Sequence, residues 1–293
     1  MTANKIMKRK VIFIHIPKTA GTSFSENCYY QYPMLSFFHY LDYRHGDMME
    51  VEDKFRGKDF ELLPSWLKIR IQMHAGHMPF GFHEGLNEEY KYVTFLRDPV
   101  QRVISNYLHI KYHKHHPQHN TINNERLSLR EFVLDDRFQG GRNLMTRVLS
   151  GTFRNIQADQ ELFNKAIQNI VRVNMLIGIT EDFENSLALL ALELGWEKPL
   201  IITRSNKGRL HPSEADMEIS EWIAEQNMLD VRLYEEMKAK YNERLESCLK
   251  EVLERKSEAV SLGGTVRLQN LIKQRANRGF NWWLDSKFKK EGL

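Results

Sequence analysis

The stretch VIFIHIPKTAGTSF, residues 11–24, constrains this chain more than any other. Residues 11–16 are a continuous β-branched and aromatic run, the pattern of a central strand in a parallel sheet. A turn carrying Pro17, Lys18 and Gly21 follows, and residues 21–30 read as a helix with Thr22 and Ser23 in its first turn. A strand that ends in a tight turn and opens a helix gathers backbone N–H groups around one point. The helix N-terminus adds partial positive charge there. Such a junction suits a phosphate. Gly21 lets the backbone approach closely, Thr19, Thr22 and Ser23 offer hydroxyls, and Lys18 adds a full charge. It is not the triphosphate loop G-x-x-x-x-G-K-[ST], because it has one glycine and its lysine comes first. Nothing in the segment supplies a carboxylate pair for Mg²⁺.

A second segment, FLRDPVQRVISNYLHI at residues 95–110, has the same grammar. An apolar run over 92–96 ends at Arg97, Asp98 can cap a helix, and Pro99 fits its first turn. Arg97 lies before the helix and Ser105 within it, so the long arginine side chain can meet Ser105 at a second phosphate. Two phosphate grips imply a nucleotide phosphorylated at two places.

Further short apolar runs occur at 71–73, 174–179 and 200–203. Between them Phe183, Leu187, Leu190, Ala191 and Leu194 share one helical face, with Gly195 as the stop. Leu229, Leu233, Met237, Tyr241 and Leu245 repeat every four residues, which predicts one long helix over roughly 213–256. Strands alternating with helices give an α/β fold: a P-loop-like parallel sheet flanked by helices on both faces, with a helical C-terminal extension. The expected division is a domain over 1–256 and a basic, aromatic tail over 257–293. Packing of that tail on the domain would cover Phe280, Trp282 and Trp283. The formal charge of +4 suits an anionic ligand without indicating nucleic acid. Two cysteines, Cys28 and Cys248, make no disulfide framework, and no run is long enough to span a membrane. A cytoplasmic location is expected.

IPKTAGTSF resembles the 5′-phosphosulfate loop of the sulfotransferases, and LRDPVQRVISNY resembles their 3′-phosphate motif. The similarity is to the carbohydrate branch that includes the heparan sulfate 2-O- and 6-O-sulfotransferases, in a soluble bacterial-type form. It continues at GHMPFG, NLMTRVL, LIGITEDFENSLALL and NMLDVRLYEEM, in the family's order. The resemblance implies 3′-phosphoadenosine-5′-phosphosulfate (PAPS) as donor. Lys18 would contact the bridging and sulfonate oxygens, and Thr19, Ala20, Gly21, Thr22 and Ser23 would cradle the 5′-phosphate. Arg97 and Ser105 would hold the 3′-phosphate, and Lys207, in TRSNKGR at 203–209, a further part of the nucleotide.

Sulfuryl transfer also needs a base for the acceptor hydroxyl, and MHAGHMPFG offers His74 and His77. His77 matches the second histidine of an H-G-H stretch in the 2-O-type enzymes, where it is thought to be the base. The first histidine of that stretch falls on Ala75 here, and His74 is offset by one residue. No metal is needed in this scheme. The histidine-rich run HIKYHKHHPQH at 109–119 is open between a polar helix end, recognition of an anionic acceptor with Lys111 or Lys114, and a metal site, ranked last. The expected function is an O-sulfotransferase acting on a hydroxylated acceptor, a saccharide, glycolipid or small metabolite. Residues 31–70 and 112–160 read as irregular insertions around the acceptor cleft. The competing readings are a P-loop kinase or nucleotide-binding protein, and a non-catalytic module for anionic glycans.

Overall fold

The computed structural model describes residues 10–34, 36–40, 65–81, 84, 89–154, 156–202, 217–260, 270–273, 275 and 276. Five parallel strands form the sheet: β1 (Val11–Ile14), β2 (Phe37–Tyr40), β3 (Met73–Gly76), β4 (Lys91–Leu96) and β5 (Leu176–Ile179), in the order β2-β3-β1-β4-β5. The helices are α1 (Gly21–Gln31), α2 (Ser65–Lys68), α3 (Pro99–Tyr112), α4 (His119–Asn124), α5 (Leu129–Leu134), α6 (Leu144–Ser150), α7 (Gln160–Arg172), α8 (Phe183–Leu194), α9 (Met217–Gln226), α10 (Met228–Ser247) and α11 (Leu249–Ser257).

β1 is central and all four of its residues are buried, as its apolar run requires. The chain leaves β1 toward β2 and leaves β4 in the opposite direction toward β5. Right-handed crossovers of that kind put α1 on one face and the helices after β4 on the other. They also open a crevice at the carboxyl ends of β1 and β4, where open α/β sheets bind ligands. Both phosphate-type segments leave the sheet at that point.

The main core surrounds the sheet, and a second apolar cluster joins α3, α4, α5 and α9 through residues such as Val103, Tyr107, Ile122, Phe132 and Ile223. Residues 112–160, expected to be irregular, therefore carry three short helices, α4, α5 and α6, joined by turns and packed into the fold. Their order rests on Arg147, which is fully buried and donates to the carbonyls of Arg142, Phe153, Arg154 and Gln139. α6 is capped from α10: Asp230 accepts from the N–H groups of Met145 and Thr146 and from the Thr146 hydroxyl.

Other expectations need correction. The long helix over 213–256 is three helices within its described part. Asn227 breaks it at the α9–α10 boundary because its side chain accepts from Asn143 N–H and donates to the Gly141 carbonyl, tertiary bonds that override helix periodicity. Of the expected run 200–203, the described residues 200–202 contribute a single parallel bridge, Ile201 to Val260, and no strand. β2 lies in the stretch read as an insertion; its run FFHY is short and sits at the sheet edge. Near the C-terminus, Asn270 donates to the Glu26 carbonyl and Lys273 to those of Tyr29 and Tyr32, at the end of α1. Among the described residues no helix is long and apolar enough to cross a membrane.

Candidate active site

The β1–β3 ladder pairs Ile14 with Gly76, and His15 N–H donates to the Gly76 carbonyl at 2.8 Å. The next residues outward, His15 and His77, therefore leave the sheet side by side. Their rings stack at 4.3 Å between centroids. His77 Nδ1 lies 2.6 Å from the His15 carbonyl oxygen, which can only accept, so Nδ1 carries the proton and Nε2 the lone pair. Burial pushes His77 down to about 4, partly opposed by that hydrogen bond, so the ring is neutral near pH 7. His15 was not legible as a site residue; its only signal is its place between the strand and IPK.

His15 also explains Gly21. A Cβ on Gly21 would sit 2.0 Å from Cδ2 of the His15 ring, so the first residue of α1 has no room for a side chain. The loop between them alternates in backbone sign. Lys18 (φ 70°) and Ala20 (φ 59°) are left-handed, and Thr19 between them is not. That alternation turns successive N–H groups toward one concavity, a nest for anions. Thr19 is fully buried and donates its hydroxyl to the Ile16 carbonyl at 2.8 Å. Its hydroxyl thus braces the loop, whereas the sequence reading offered it as a donor to the phosphate. Thr22 is exposed and Ser23 buried. The N-cap of α1 is Ala20, which offers no side-chain acceptor to the first-turn N–H groups.

The second junction is built differently. Asp98 caps α3 by accepting from Gln101 N–H at 2.8 Å, and Pro99 occupies the first turn. Arg97 Nη1 donates to the Lys18 carbonyl at 3.1 Å, joining the two loops. Burial lowers Lys18 to about 8, and the neighbouring Arg97 adds to the shift. No acidic partner for the Lys18 ammonium occurs among the described residues. Glu181, just after β5, accepts from Asp98 N–H at 3.0 Å and from the Tyr234 hydroxyl at 3.0 Å. Burial lowers Arg97, and Glu181 and then Asp98 oppose that shift. Glu181 and Tyr234 lay inside segments read only as supportive, and nothing local marks them.

Gln101, Ser105 and His109 recur every four residues as the partly accessible stripe of α3. The structure thus joins Arg97 to Lys18 and sets His77 against His15 at the end of β1, with Ser105 on the stripe that faces away from the α3 core. His74 is a core group, fully buried with Nε2 3.2 Å from the Tyr90 hydroxyl, and burial pushes it down to about 3. Lys111 turns onto Tyr107, 3.3 Å from its hydroxyl. Lys207 lies outside the described residues. Among those described, no three or more His, Cys, Asp or Glu side chains are grouped to hold a metal ion.

The family model described as galactose-3-O-sulfotransferase matches residues 2–272. The chain belongs to the galactose-3-O-sulfotransferase family. Heparan sulfate 2-O-sulfotransferase 1 of Xenopus laevis is 27% identical over 107 residues, covering 35% of this chain and 29% of that protein. The human protein of the same name is 26% identical over the same length and shares. The match thus spans less than a third of the length of these curated relatives. For a member of the galactose-3-O-sulfotransferase family, a phosphosulfate donor fits the residues present: a nest, an uncapped helix N-terminus of α1, and two adjacent cations.

Proposed function

We propose that the protein transfers a sulfuryl group from PAPS to a hydroxyl of a carbohydrate acceptor. The observation that carries this reading is the Arg97–Lys18 bond, which joins the two anion-binding junctions into one crevice with His77 at its edge. The N–H groups of residues 19–23 receive the 5′-phosphate, and Arg97 and Ser105 the 3′-phosphate. Lys18 sits against the bridging oxygen, where charge builds as the bond to sulfur breaks. His77 Nε2 takes the acceptor proton as the hydroxyl oxygen forms its bond to sulfur in line with the departing phosphate oxygen. The products are a sulfate ester, adenosine 3′,5′-bisphosphate and one proton. A free sugar, a glycolipid headgroup or a small cytoplasmic metabolite would satisfy the same chemistry.

Calorimetry with adenosine 3′,5′-bisphosphate tests the donor. Saturable binding without Mg²⁺ is expected, and no heat at millimolar nucleotide would sink the reading. His77→Ala should lower kcat by about 100-fold or more while leaving nucleotide affinity intact; full turnover would remove the base from His77. The group is active when neutral and its value is depressed, so turnover should hold through neutral pH and fall as pH drops through about 4. The same sign applies to stability. The neutral rings of His74 and His77 contribute most above the ordinary histidine range, near 6.5, and acid removes that contribution as pH falls toward 4.

A further inference from the structure

His77 is held at two points, and one residue supplies both. The backbone of His15 is fixed by the β1–β3 register, its N–H donating to the Gly76 carbonyl at 2.8 Å. Its carbonyl oxygen lies 2.6 Å from His77 Nδ1 and holds the edge of that ring. Its own ring lies over the face of His77, with 4.3 Å between centroids and 26° between planes. An edge contact alone lets an imidazole rock about the hydrogen bond, and a face contact alone lets it turn in its plane. Together they leave Nε2 one direction.

The His15 ring is itself confined. It stacks on Phe13 at 5.5 Å and 15°, and Phe13 is fully buried, 4.6 Å from the Phe24 ring. Its Cδ2, Nε2 and Cε1 atoms face the first residue of α1, where a Cβ on Gly21 would overlap all three. Nε2 of His15 is thus turned to α1 and closed to an acceptor hydroxyl.

We propose that His15 is the positioning residue of the base: its carbonyl sets the tautomer of His77, and its ring face holds the imidazole and stabilises the imidazolium that forms as Nε2 takes the acceptor proton. The proposal rests on the sulfuryl-transfer reading with His77 as base, and adds the group that orients it. His15 exchanges no proton. The proton passes from the acceptor hydroxyl to His77 Nε2 while the hydroxyl oxygen bonds to sulfur and the phosphate oxygen departs. The new charge lies on a ring whose Nδ1–H already points at a carbonyl, a bond that strengthens when its donor is charged. The face of that ring meets the π face of its neighbour, where a cation is attracted. In a Ser-His-Asp triad a carboxylate does the orienting. A carbonyl and a ring do it here without setting a negative charge beside an anionic donor.

Nitrogen NMR of the imidazoles in the full chain, near neutral pH and without nucleotide, reads the tautomer directly, with His77→Gln assigning the signals. Wild-type His77 should show the Nδ1–H form alone. His15→Phe, which keeps a flat ring on that face, should retain it. His15→Ala and His15→Leu keep the carbonyl but not the ring, and should give both tautomers, as in a freely turning imidazole. If His15→Ala does not fold, His15→Leu, with a side chain that fills the space, carries the comparison. Both tautomers in the wild-type chain, a retained Nδ1–H form without the ring, or its loss in folded His15→Phe would overturn the role. The spectra need no turnover, so they fail separately from the base assignment, which falls if His77→Ala keeps full turnover.

Discussion

The two anion grips of this molecule stand on adjacent strands and reach the same crevice, yet they are made of different parts. At the end of β1 the N-terminus of α1 has no side-chain cap, the loop hydroxyl of Thr19 is turned inward, and two residues sit at positive φ. That grip is backbone. At the end of β4 the helix is regular and its N-terminus already holds the Asp98 carboxylate. On the proposed reading a phosphate there is held by the Arg97 and Ser105 side chains, beside the Asp98 cap. One grip depends on shape, the other on chemistry at particular side-chain tips.

The sharpest way to break that comparison is Gly21→Ala. The added Cβ would fall 2.0 Å from the His15 ring and push it against His77, so both the nest and the base move. Turnover should fall about 100-fold, the scale of an ångström-sized displacement at a reacting centre. A variant with unaltered kcat would show that the backbone grip tolerates reshaping. Arg97→Ala comes next. It removes a charged donor from the second grip and the brace to Lys18, and nucleotide affinity should drop about 10- to 100-fold. An unchanged affinity would place the 3′-phosphate elsewhere. The smallest effect belongs to Asp98→Ala. Loss of the cap should reduce stability by about 1 kcal/mol, read as a shift in the denaturant midpoint. Nucleotide affinity should stay the same or rise, because the helix end is opened to the phosphate. A marked loss of affinity would make Asp98 part of the grip and dissolve the contrast.

The two grips also differ in how far the sequence announced them. Asp98 and Pro99 have fixed positional grammar, so the second was legible from local rules. The left-handed Lys18 and Ala20 were not, because ordinary residues at positive φ leave no compositional mark; the strand–turn–helix pattern with Lys18 and Gly21 located that loop but not its backbone shape. The parallel sheet and its flanking helices followed from apolar runs and spacing. What escaped was tertiary. Asn227 breaks a helix whose periodicity runs on, Asp230 caps α6 from a distant element, and Glu181 steadies Asp98 from beyond β5. His15 and His77 become partners only through the register of β1 against β3.

The bond from Arg97 to the Lys18 carbonyl spans 79 residues. The crevice therefore cannot exist in a nascent chain until β4 has emerged and docked beside β1. Closing so long a segment is slow compared with forming any one helix, so α1 and α3 can be made well before the crevice. Nucleotide added during refolding should leave the early formation of helix unaltered and act only on the final step, where it would trap chains whose central strands have already met.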